Sequence, residues 1–114
     1  MSRKYFPDRG DPVRLNFSLK AGNEQSGRRP AVVVSPGSYN KKVGLGLFCP
    51  ITSQTKGYPF EVRIPAGMNV SGVVLSDQIK SLDWKVRDAR FICTLPVSTM
   101  SEVLKKLSTL LKEL

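Results

Sequence analysis

Gly27-Arg28-Arg29-Pro30-Ala31-Val32-Val33-Val34-Ser35-Pro36 holds an apolar, β-branched run, Ala31 to Ser35, closed at each end by a proline. A run with no polar alternation leaves neither face for water, so it predicts a central strand covered on both sides. Upstream, Val13 to Phe17 (V-R-L-N-F) alternates with the period of a half-buried strand, punctuated at its start by Gly10-Asp11-Pro12. A polar loop, Ser18 to Arg29, joins the two. Downstream, Pro36 to Asn40 is turn chemistry with room for one helical turn, and Gly44 to Ile51 resumes as a strand that runs into the loop Thr52 to Gly57.

The remaining chain continues in short units. Pro59 to Ile64 alternates, with Phe60, Val62 and Ile64 on one face, before a turn at Pro65-Ala66-Gly67. Gly72 to Ile79 reads as a strand with Asp77 and Gln78 near its far end, Leu82 to Arg90 as a short helix, and Arg90 to Leu95 as a last strand. Met100, Val103, Leu104, Leu107, Leu110, Leu111 and Leu114 recur at three- and four-residue steps and predict an amphipathic C-terminal helix, with Thr99 and Glu102 in capping-box spacing after Pro96. Its stripe needs a surface to bury, and the sheet supplies one. The 114 residues are enough for one core and too few for two ordinary domains. The expected fold is mainly β: a single, mostly antiparallel small barrel, residues 1–114, closed by the terminal helix.

Eighteen Lys and Arg against nine Asp and Glu give a net charge of +9, and Gln25 to Phe60 carries five of those cations with no acidic residue. Such a surface attracts nucleic acid or an acidic protein, although a merely soluble basic surface has the same composition. With no histidine and only Cys49 and Cys93, each inside an apolar run, the usual transition-metal ligand sets cannot be assembled, and two core thiols in a reducing cytoplasm are expected. No stretch is apolar for long enough to span a bilayer, and Met1 to Asp11 lacks the apolar centre of a signal peptide, so a cytosolic protein with no membrane association is expected.

The ordered series G-D-P-V from Gly10, G-N-E-Q-S-G-R-R-P-A-V-V-V-S-P from Gly22, C-P-I-T-S-Q-T-K-G-Y-P-F from Cys49, G-V-V-L-S-D-Q-I-K-S-L-D from Gly72 and the helix E-V-L-K-K-L-S-T-L-L resembles the MazF/PemK/Kid endoribonuclease toxins, closest to the MazF branch. The resemblance runs from about Tyr5 to Leu114. It implies an SH3-like barrel of the MazF/Kid/CcdB type with a C-terminal α-helix, and a homodimer with an RNA groove near the subunit interface. It also implies cleavage of single-stranded RNA without a metal or other cofactor, and control by a cognate MazE-like antitoxin in the cytoplasm. The family's active-site arginine and threonine fall on Arg29 and Thr52, with Glu24 as an accessory position. The PemK/Kid branch adds an aspartate that matches Asp77. Where some relatives have histidines this chain has Asn23 and Arg28, and where the Kid branch has a second arginine it has Leu75.

Metal-free RNA cleavage uses the RNA's 2′-hydroxyl as nucleophile, so the protein must help remove one proton, supply another and stabilise charge on phosphorus. Arg29 suits the last task, because a guanidinium fork matches phosphate oxygens, and Thr52 adds a directed hydroxyl. With a pKa above ~12 an arginine is a poor base, which leaves Glu24 or Asp77. For RNA contact, Arg28 fringes the groove, Lys56 and Tyr58 bracket Gly57 to offer a cation and a stacking ring, and Asn40, Ser53 and Gln54 suit base edges. The plainer alternatives are an Arg29 that anchors a loop, a Thr52 or Asp77 that caps a turn, a Glu24 paired with Arg28, and a Tyr58 packed on the strand of Phe60. Two functions of other classes share the composition: a CcdB-like gyrase-inhibiting toxin, and a non-catalytic SH3-like RNA-binding module.

Overall fold

A computed structural model of the chain describes residues 4–17 and 27–112. Strand β1 (Pro12–Asn16) pairs antiparallel with β2 (Arg28–Val33), and β2 pairs with β3 (Leu45–Thr52) across the short helix α1 (Gly37–Val43). The apolar run does what its composition requires. Val32 and Val34 project into one core with Cys49, Ile51, Val62 and Val74, while Ala31 and Val33 project into a second with Val13, Leu15, Phe48 and Trp84.

Strand β3 is long enough to serve two partners on its other edge. Its first half pairs with β6 (Lys80–Asp83), and Ile51 and Thr52 pair with β5 (Val73–Leu75), which in turn holds β4 (Glu61–Arg63). The last strand, β7 (Arg90–Phe91), lies on β1. The expected SH3-like barrel is not formed. The sheet runs β4-β5-β3-β2-β1-β7 with β6 off that path, so its two end strands do not meet, and the fold is a mixed α/β arrangement on an open sheet.

The C-terminal helix packs on one face of this open sheet. α2 (Val97–Thr109) lays Met100, Val103 and Leu107 on the first core, beside Val62 and Ile64 of the β4 region. Burying each such side chain contributes roughly 1.5–3 kcal/mol, which holds the helix on the sheet. The capping box is absent too. Pro96 takes the N-cap position with no side-chain cap, which places Thr99 inside the first turn, where it is buried.

The helix expected over Leu82 to Arg90 is also replaced. Leu82 and Trp84 alternate inward from β6, then Asp83 Oδ1 accepts the N–H groups of Lys85 (3.1 Å) and Val86 (3.0 Å) as a helix cap would, but the turn goes no further than Asp88, whose φ of +54° lies in the left-handed region. Among the described residues no helix is long and apolar enough to cross a membrane.

Candidate functional site

The β2–β3 register reads Val33↔Phe48, Val32↔Cys49 and Ala31↔Pro50. Continued by two residues, it sets Arg29 opposite Thr52. Neither Pro30 nor Pro50 has an N–H to donate, so the ladder stops there and the strands part. The gap is a cavity of about 500 Å³, lined by Arg14, Arg29, Thr52, Ser53, Gln54, Asn69 and Ser71 over a floor of Pro30, Ile51 and Val70. Two arginines and no described carboxylate line it, which gives it a positive character.

Thr52 is fixed in three ways. Its backbone is paired with Val73, and its Oγ1 accepts the N–H of Gln54 at 3.1 Å, which leaves the hydroxyl proton free to be donated elsewhere. The third is Gly72, at φ +112°: a Cβ there would lie 2.1 Å from the Thr52 carbonyl oxygen. Only glycine permits this approach. Arg14, Asn69, Ser71 and Gly72 were not singled out by sequence reasoning. The outward position of Arg14 in V-R-L-N-F was the available signal for it, whereas the others depend on strand pairing.

Thr52 and Gln54 also border a second, smaller cavity of about 160 Å³ with Lys56, Tyr58, Glu61, Leu75 and Gln78. Ser53, Gln54 and Lys56 are exposed. Asp77 lines neither cavity. Its Oδ1 accepts the Tyr58 hydroxyl at 2.7 Å, and that hydrogen bond raises the Tyr58 pKa above the ordinary phenol value. Arg28 is partly engaged, donating to Asp88 Oδ2 (3.4 Å) and the Arg14 carbonyl (3.2 Å). Glu24 lies outside the described residues.

Asn40 does not belong to this surface. It is fully buried, its Nδ2 donates to the carbonyls of Pro7 (2.8 Å) and Ser35 (3.1 Å), its Oδ1 accepts the Ser35 hydroxyl, and its own carbonyl accepts Trp84 Nε1 (3.0 Å). With every polar atom engaged, it ties α1 to the N-terminal segment and the second core and has nothing to offer a base. Asn40→Ala should therefore lower stability by about 2 to 4 kcal/mol, because buried donors and acceptors on its partners lose their mates. A denaturant titration reads this directly, and a shift smaller than the error would deny the hub.

Both cysteines are free thiols, and burial pushes Cys49 up to about 12, so it is inert at neutral pH. Among the described residues no three His, Cys, Asp or Glu side chains cluster as metal ligands.

Residues 8–111 match the family described as the PemK-like, MazF-like toxin of type II toxin-antitoxin systems. The chain is 49% identical over 89 residues to the endoribonuclease toxin MazF of Escherichia coli K12, covering 78% of this chain and 79% of that protein. The crystal structure of MazF from Deinococcus radiodurans superposes with a TM-score of 0.87 at 52% identity, covering 96% of this chain and 100% of that one. A MazE-MazF crystal structure from the same organism gives 0.86 at 48% identity, covering 97% and 100%.

Proposed function

This chain belongs to the PemK-like, MazF-like toxin family of type II toxin-antitoxin systems, a family of endoribonucleases, and we propose that it cuts single-stranded RNA with the scissile phosphate seated between Arg29 and Thr52. It is an mRNA interferase, a toxin that inhibits growth by cutting messages at short sequences without a metal. The observation that supports the seat of cutting is the cavity where β2 and β3 part, with two arginines, a fixed threonine hydroxyl and no described carboxylate.

In the proposed reaction the 2′-oxygen bonds to the adjacent phosphorus as the bond from phosphorus to the 5′-oxygen breaks. The 2′-hydroxyl proton passes to a base and a proton reaches the departing 5′-oxygen, leaving a 2′,3′-cyclic phosphate and a 5′-hydroxyl. Arg29 binds two phosphate oxygens and stabilises the charge that grows there. Thr52 donates to the same group. Glu24, in the segment that joins the strands bearing Arg14 and Arg29, is the favoured base, since Asp77 already accepts the Tyr58 hydroxyl. Lys56, Tyr58, Ser53 and Gln54 contact the flanking nucleotides, with Arg28 at the rim.

Thr52→Ala should slow cutting by roughly 3- to 100-fold, the lower value for a neutral hydrogen bond and the upper for one meeting developing charge. Thr52→Ser should retain activity. Serine as damaging as alanine, measured under single-turnover conditions, would assign Thr52 to packing instead.

Two partners accompany this reading. A cognate antitoxin with an acidic, partly apolar and disordered segment would fold onto the same basic groove and compete with RNA. A second copy would complete a homodimer, for which exposed Phe91, Val97 and Leu111 supply apolar surface. The setting is the cytoplasm. Purified protein incubated with single-stranded RNA in EDTA tests the activity: discrete cuts are expected. Gyrase inhibition without cuts would favour the CcdB-like reading, and retention without cutting a binding module.

A further inference from the structure

Glu61 opens β4 and borders the smaller cavity, and each of its polar groups organises the loop between Thr52 and Pro59. Its N–H donates to the Tyr58 carbonyl at 3.1 Å, closing a turn over Pro59 and Phe60. Its two carboxylate oxygens accept the N–H of Lys56 at 2.9 Å and of Gly57 at 3.0 Å. Its carbonyl accepts Lys106 Nζ of α2 at 3.0 Å, and the same ammonium reaches the Pro59 carbonyl at 2.7 Å while standing 3.7 Å from Glu102 Oε2.

Two consecutive amides thus meet one carboxylate, and Gly57 beside them turns the chain at φ +79°. Such a pair forms a small anion-binding concavity, which a carboxylate with two oxygens fills and an alkyl side chain cannot. Without it, both amides would face water, and the glycine-containing loop would regain its freedom.

We infer that Glu61 is a positioning residue for RNA cutting: it holds the Thr52–Tyr58 loop in the shape that presents Gln54, Lys56 and Tyr58 to RNA, and α2 fixes Glu61 through Lys106. This rests on the reading of that loop as an RNA contact. Glu61 touches neither the arginine cavity nor Arg29, so its loss should weaken binding far more than chemistry. In the sequence Glu61 stands on the face opposite Phe60, Val62 and Ile64 in the alternating stretch Pro59 to Ile64.

The test pairs amide hydrogen exchange of the free protein with steady-state cutting of a single-site RNA oligonucleotide, in wild type, Glu61→Ala and Glu61→Gln. Glu61→Ala should lose exchange protection at Lys56 and Gly57 but keep it in β3, and raise KM by about tenfold while kcat changes by less than about threefold. Glu61→Gln keeps the turn and one acceptor oxygen, and should fall between. Unchanged exchange at both amides would overturn the inference, as would a fall in kcat at constant KM. Freed amides with an unchanged KM would overturn it as well, by separating loop order from RNA binding. A wild-type protein that cut no RNA would instead strike the functional reading, and the exchange data would still decide whether Glu61 holds the loop.

Discussion

Arg29→Ala should fold as the wild type does and cut RNA at least about a thousandfold more slowly, the upper range for removing one donor set from developing charge. Arg29 is exposed at the mouth of its cavity, and exposed substitutions usually change stability by no more than about 0.5 kcal/mol. Its strand is held by Ala31, Val32 and Val33, all fully buried, so nothing in the core depends on the guanidinium. Arg29→Lys should recover little, because a point charge lacks the fork that engages two phosphate oxygens. Wild-type turnover by a folded Arg29→Ala protein would remove this residue from the mechanism.

Gly72→Ala should damage both stability and cutting, although Gly72 touches no substrate in the proposed reaction. The new Cβ would stand 2.1 Å from the Thr52 carbonyl oxygen and 2.8 Å from its carbonyl carbon, and the backbone at φ +112° is itself closed to alanine. Relief requires the end of β3 to move off β5, breaking the Thr52↔Val73 pair and carrying the Thr52 hydroxyl away from Arg29. A stability loss above about 2 kcal/mol is expected, together with a rate loss exceeding that of Thr52→Ala. Thermal unfolding and single-turnover cutting measure the two effects separately. If the folded fraction cut at the wild-type rate, the position of Thr52 would not matter to the reaction.

Gly72 shows why part of the site was not legible in the sequence. Its role depends on which strand pairs with β3, and no local pattern carries that pairing. Arg29 and Thr52 were singled out by the family resemblance and not by local pattern, and the structure brings both to one cavity, beyond the prolines that end the ladder. Asn40 misled because a polar residue in turn chemistry reads as exposed, whereas here it satisfies the Pro7 and Ser35 carbonyls inside the molecule. The open sheet was hidden for a similar reason: short alternating strands suit a closed barrel or an open sheet equally, and the choice depends on which strands pair across the sheet. The stripe of α2 was plain, but its start was not, since Pro96 outcompeted Thr99 for the N-cap position.

The central claim is that the RNA's own 2′-hydroxyl attacks a phosphate held by Arg29 and Thr52. Two oligonucleotides that differ only in the 2′-hydroxyl at the cut position, each incubated with the wild-type protein in EDTA, test it most directly. The ribose substrate should give a 2′,3′-cyclic phosphate and a 5′-hydroxyl, and the deoxy substrate should bind with similar affinity and remain intact. Cleavage of the deoxy substrate, or ends bearing a 3′-hydroxyl and a 5′-phosphate, would contradict the account.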